Sequence, residues 1–192
     1  MSDLWQLPKS LPLGGVQYPI HADFRDILQI IHWLEKPDAT PETRLYVALR
    51  LFWPGFEALP LAQRGQAAPA MLEFIAGGSP EQEPAGPKLF DWQQDADLII
   101  ADVNRVAGCE IRALPFVHWW TFLAWFSAIG EGRLSAVVAI RQKLNTGRQL
   151  EDWERSYYLA NRQRIRLNTA PTKAQAAEKR RLEALLRGKK EE

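Results

Sequence analysis

Residues 113–130 read Ala-Leu-Pro-Phe-Val-His-Trp-Trp-Thr-Phe-Leu-Ala-Trp-Phe-Ser-Ala-Ile-Gly, eighteen consecutive residues without a formal charge. A membrane span needs about 20 helical residues. Pro115 and Gly130 trim this segment to a shorter helix, Phe116 to Ile129. Its tryptophans sit mid-helix, not at two ends where an interfacial belt would place them. The stretch therefore reads as a buried central helix, apolar all round. Such a helix needs others around it.

The flanking sequence supplies them. Downstream, a helix over about 134–145 ends before Gly147, and another runs from Leu150 to Leu167, where Asn168-Thr169-Ala170-Pro171 breaks it. Thr172-Lys173-Ala174-Gln175 opens a last helix with a capping box, and Gly188 suits its stop. Upstream, Asp91-Trp92-Gln93-Gln94 reads as a capping box with Asp in place of Ser or Thr. Asp91 caps, Gln94 reaches back, and the helix runs to Ala107, with Gly108 at the left-handed position after it. Residues 77–88, Gly-Gly-Ser-Pro-Glu-Gln-Glu-Pro-Ala-Gly-Pro-Lys, form a loop. Before it, Phe24, Ile27, Leu28, Ile31 and Leu34 recur at helical spacing over 24–35, begun by Asp23 and stopped by Pro37. Thr40 and Pro41 start a second helix lined by Leu45, Leu49 and Phe52. Pro60, Gly65 and Pro69 interrupt 58–76, leaving one short helix around Met71, Leu72 and Ile75. Only Gly15 to Ile20 reads as extended. The expected fold is all-α: a compact helical domain of seven to eight helices over 1–168, with a charged C-terminal helix. Its halves, 1–76 and 89–168, are joined by the loop 77–88, and a basic tail, 169–192, follows.

Composition agrees. With 192 residues, 46% hydrophobic and 24% charged, the chain can bury a core, which excludes collagen and wholesale disorder. The single cysteine, Cys109, excludes an intramolecular disulfide and a Cys-cluster metal site, and suits a reducing cytoplasm. The start, Met1-Ser2-Asp3-Leu4-Trp5, has no secretory signal. Net charge is uneven: −5 over residues 1–152 and +6 over 153–192. A basic end of this kind suits nucleic acid, an acidic partner or a solvated helix.

Candidate chemistry is sparse. Asp91, Asp95, Asp97 and Asp102 lie within twelve residues, and three share one helical face. Capping and favourable charge at a helix start account for them better than a cation does. His21, His32 and His118 complete no ligand or triad signature, and Cys109 reads as a small packed residue. Phosphate-binding, zinc-protease and nucleophile-elbow motifs are absent from the sequence. The expectation is a non-enzymatic protein with no cofactor and no metal. The basic end sets Arg155, Arg162, Arg164 and Arg166 beside Trp153, Tyr157 and Tyr158. Nucleic acid could use that interleaving, but Arg162, Arg164 and Arg166 do not share a face.

One pattern goes further. Phe90-Asp91, Asp95, Ile99-Ile100, Gly108-Cys109-Glu110-Ile111, His118-Trp119-Trp120-x-Phe122 and Ala139-Ile140-Arg141 form a recognisable series. With Asp23-Phe24-Arg25 and Leu49-x-Leu51-Phe52 upstream, it resembles the tail-assembly-chaperone-like proteins of long-tailed phages and prophages of Gram-positive hosts. The similarity covers roughly residues 12 to 168. The chain departs from the usual pattern at Ala107, Cys109 and Glu110, where the family has an aromatic residue before the glycine and a Tyr-Gly-Ile-x-Leu-like stretch.

The resemblance implies a helical protein of the host cytoplasm whose partners during tail morphogenesis are the tape-measure protein and the major tail protein. A long helical chain with exposed apolar stripes aggregates unless it is covered, and a groove for helices would cover it. The aromatic face of Trp119, Phe122, Trp125 and Phe126 is expected to be either core or the groove that meets the partner. Asp91, His118, Trp120 and Arg141 are expected to be structural, with His118 locked to a carboxylate such as Asp95 or Asp102. Relatives in this functional class often have a second, frameshifted form, and codons for Gly188-Lys189-Lys190 could supply the slippery run. The rival expectations are a nucleic-acid-binding phage protein and a structural tail subunit.

Overall fold

The computed structural model describes residues 6–78 and 86–168. The expected C-terminal helix, with Thr172-Lys173-Ala174-Gln175 and Gly188, lies outside the described residues.

The chain opens with a hairpin, β1 (Ser10–Leu13) and β2 (Val16–Pro19), paired antiparallel. Gly14 and Gly15 turn it, both at positive φ, which a two-residue turn between twisted strands requires. Reading extended backbone only from Gly15 onward missed β1, because Pro12 removes an amide from Leu11-Pro12-Leu13. Pro12 stands opposite Gln17 at the sheet edge, where the loss is tolerated.

Three helices complete the N-terminal half. α1 (Phe24–Glu35) starts where the Asp23 carboxylate accepts the Arg25 amide. α2 (Pro41–Phe52) starts at Thr40, whose hydroxyl accepts the Thr43 amide at 3.2 Å. α3 (Leu61–Ile75) is longer than the short helix expected and runs through Pro69. Pro69 cannot donate to Gly65, yet Ala67, Met71 and Phe74 bury one face at i, i+4 and i+7. That burial outweighs the local break.

Five helices follow: α4 (Ala96–Ala107), α5 (Trp119–Ser127), α6 (Arg133–Asn145), α7 (Asp152–Ala160) and α8 (Arg162–Ile165). The all-α expectation holds apart from the hairpin, with eight helices among the described residues. The helix expected from Asp91 begins instead at Ala96. Residues 92–95 form turns in which Asp91 accepts the Gln93 and Gln94 amides at 2.9 and 2.8 Å. Asp95, not Gln94, reaches back to the Asp91 amide, at 2.9 Å. Gln94 instead faces α8 and binds the Arg164 and Arg166 carbonyls and the Asn168 amide. The helix expected over 150–167 breaks at Asn161, where ψ reaches 30° and the side-chain amide donates to the Tyr157 carbonyl. α5 is nine residues long, and no helix among the described residues is long and apolar enough to cross a membrane.

One hydrophobic core runs from Leu13 to Val137 through both halves. α5 joins them: Phe122 stacks on Phe24 of α1 at 4.8 Å and on Trp119 at 5.5 Å, and Trp119 meets Trp92 at 5.9 Å. α4 lies against α5 and α6. At the start of α6, buried Asp102 of α4 accepts the Leu134 amide at 2.9 Å. A Cβ on Gly132 would sit 2.6 Å from that carboxylate. Gly132→Ala is therefore expected to displace Asp102, orphan the Leu134 N–H and lower stability by about 1–3 kcal/mol. Chemical denaturation would measure it, and an unchanged midpoint would refute the contact.

Candidate functional site

The residues of the resemblance meet at two buried clusters. The first binds the start of α1 to the start of α5. Asp23 and His118 pair as an isolated antiparallel bridge, with the Phe24 amide on the Val117 carbonyl at 2.9 Å and the Trp119 amide on the Ala22 carbonyl at 2.7 Å. Asp23 also accepts the Val117 amide at 2.9 Å and the Arg25 guanidinium at 2.7 and 2.8 Å. Burial pushes its carboxyl up, but Arg25 and the amides of Val117 and Arg25 outweigh that and hold it below the usual range.

His118 is the cap of α5. Its Nδ1 accepts the Trp120 amide at 3.1 Å, so Nδ1 carries no proton and Nε2–H donates to the Pro8 carbonyl at 3.0 Å. The expected partners were Asp95 and Asp102. Neither is its partner here: one serves Arg141 and the other caps α6. Burial pushes the imidazole below its ordinary value; the Pro8 bond opposes this and the Lys9 charge adds to it.

The unfolded chain therefore binds a proton more readily than the folded one. Stability is expected to fall as pH drops below the ordinary imidazole value of about 6.5, and to level off below the folded-state value. His118→Asn keeps an N-cap acceptor and is expected to flatten the denaturation midpoint between pH 7 and pH 5. An equally steep fall in the variant would place the titration elsewhere.

Trp119 and Trp120 then clamp the end of α3. Their indole N–H groups donate to the Ile75 and Phe74 carbonyls at 2.8 and 2.9 Å. The Gly77 and Gly78 amides take the Phe74 and Glu73 carbonyls at 3.1 and 2.9 Å, which completes the helix end.

The second cluster surrounds Arg141, 4% exposed, and Asp95, 0% exposed. The guanidinium grips both Asp95 oxygens, at 2.6 and 2.9 Å. Its remaining donors take the Leu89, Arg164 and Ile165 carbonyls at 3.0, 3.0 and 2.7 Å. One side chain of α6 thereby ties down the entry to α4 and the whole of α8. Asp95 is expected from the sequence as a charge in the first turn of a helix; it is the most deeply buried carboxylate among the described residues.

Of the four expected partner-binding residues, Trp119 and Phe122 are each 1% exposed and belong to the core. Trp125 and Phe126 are half-buried against it, with Phe126 beside Trp92 at 4.8 Å and Phe90 at 5.3 Å. Cys109 is exposed and not packed as expected, because it follows the turn at Gly108. Among the described residues no group of three His, Cys, Asp or Glu is placed to hold a metal ion. Asp91 pairs with Lys88, at 2.9 Å.

The surface feature that the first cluster borders is a groove of about 640 Å³. The N-terminal segment 6–12 forms one wall, with Leu7 and Leu11, and the last turns of α3 form the other, with Ala70 and Phe74. Trp120 lies between them, stacked on Phe74 at 5.4 Å, and Lys9 and Glu73 supply charges to the lining. His118 holds one wall through Pro8, and the indole clamp holds the other. The groove was missed in the sequence because it joins residues 6–12, 70–78 and 120.

These observations define a small helical protein built around an aromatic clamp, with a groove of mixed apolar and polar lining on its surface. The chain belongs to the Bacteriophage Gp15 protein family, whose model matches residues 3–167. No curated protein and no solved structure matches the chain.

Proposed function

We propose that the protein is a tail-assembly chaperone whose groove shields an apolar helical segment of the tape-measure protein. The groove carries this reading. It offers Leu7, Leu11 and Trp120 to a ligand, with the buried Phe74 behind them, and its walls are fixed by hydrogen bonds from two other elements. A helix laid in such a groove is held by apolar anchors one and two turns apart. Lys9 and Glu73 add charges that can set the direction of a bound helix. Membership of a phage family supports the setting, the cytoplasm of an infected bacterial host. A binding role of this kind needs no catalytic group, cofactor or metal.

The test is co-expression with a phage tape-measure protein. Soluble co-purification is expected, and Leu7→Asp should abolish it without lowering the melting temperature, since Leu7 is 49% exposed. An insoluble partner with the wild-type chain, or a complex indifferent to Leu7→Asp, would reject the groove. Rings or tubes of the protein alone at high concentration would favour a structural tail subunit.

A further inference from the structure

A second groove, of about 530 Å³, opens on the opposite part of the chain, between α6, α7 and α8. Its lining includes the accessible aliphatic side chains Leu144 and Leu167 beside the fully buried Ile165, and the cations Lys88 and Arg166, with Tyr158 among them. Leu144 is 39% exposed at the surface.

The arginines of α8 are not equivalent here. Arg164 turns to Asp97 and gives its carbonyl to Arg141. Arg162 lies over the Tyr158 ring, 5.6 Å from its centre. Arg162 and Arg166 are both exposed, and no ion pair among the described residues engages either. Their guanidiniums hold the Tyr158 phenol below the usual tyrosine range, which marks a positive field at that point. Lys88 is shared between Glu35 and Asp91, so that trio carries a net charge of −1 and the positive charge of the site rests on the arginines.

We propose that this second groove docks an acidic protein segment that carries an aliphatic anchor. The anchor would sit against Leu144 and Leu167, and its carboxylates would meet Arg162 and Arg166. Guanidinium forks suit carboxylates and phosphates alike. The accessible leucines, Leu144 and Leu167, favour the carboxylate partner, because a nucleic acid gains from aromatic platforms, of which the lining has Tyr158 alone. The chain's own end is the wrong sign for the site. Residues 169–192 carry seven basic and four acidic side chains, a net charge of the same sign as the two arginines.

The probes are two fluorescein-labelled 16-residue amphipathic peptides, one of Glu and Leu and one of Lys and Leu, with a 16-mer oligothymidylate as the third. Anisotropy with the full chain is expected to show binding of the Glu/Leu peptide, weakened at least tenfold between 50 and 300 mM salt. The double variant Arg162→Glu/Arg166→Glu should weaken it at least tenfold, and Leu144→Asp should do the same at an unchanged melting temperature. Leu7→Asp should leave it intact, which separates this site from the first groove. Equal binding of the Lys/Leu peptide would overturn the proposal, as would tighter binding of oligothymidylate. So would a Glu/Leu affinity indifferent to the arginine reversals. Tighter Glu/Leu binding after deletion of 169–192 would also overturn it, because the chain's own end would then be the occupant.

Discussion

Arg141→Leu is expected to be the most damaging single change in the protein. The substitution strands the Asp95 carboxylate in the core and removes the donors of three buried or half-buried carbonyls. Breaking a buried pair by removing one partner costs about 3–5 kcal/mol. A domain of this size has about 5–15 kcal/mol in total. At about 2–4 °C per kcal/mol, the melting temperature should fall by about 6–20 °C. Asp95→Leu/Arg141→Leu should recover only part of the loss. It removes the stranded charge, but the Leu89, Arg164 and Ile165 carbonyls still lack a donor. Arg141→Lys should also fail, since an ammonium cannot spread donors across Asp95 and three carbonyls in that planar arrangement. Thermal melts of the four proteins test this; a drop under about 2 °C for Arg141→Leu would show that the pair contributes little.

The second large effect is expected at Trp119. Trp119→Ala empties a fully buried aromatic site that touches Phe122 and Trp92, and removes the donor to Ile75. The loss should be about 3–5 kcal/mol. Trp119→Phe keeps most of the volume and loses the N–H, at about 1–3 kcal/mol. Partner binding should fall in both only as far as the fold does. Leu7→Asp should show the reverse: a normal melt and no complex. A Trp119→Phe protein that melts normally but fails to bind would move this tryptophan from the core to the interface.

Much of the fold was legible locally. Asp23, and Thr40 with Pro41, announce α1 and α2, and each does what its spacing predicts. What was not legible depends on distant partners. Asp95 and Gln94 are both good residues for a helix start, and only the position of Arg141, 46 residues on, decides that Asp95 is buried and Gln94 turns to α8. Pro69 reads as a breaker until the packing of Met71 and Phe74 is known. Pro12 hides a strand whose partner forgives it. His118 is expected to pair with a carboxylate, but its partners are a carbonyl 110 residues away and its own helix's amide. The aromatic helix was read as buried, and its most buried members are core; the groove uses Trp120, which was read as structural. It serves both ends, since its ring lines the groove while its N–H clamps α3.

Hydrogen exchange on the complex with the tape-measure protein tests the central claim most directly. The account predicts slowed amide exchange over residues 6–12 and 70–78 on complex formation, with α7 and α8 unchanged by that partner's apolar segment. Protection confined to α7 and α8, or absent from both walls of the groove, would contradict it.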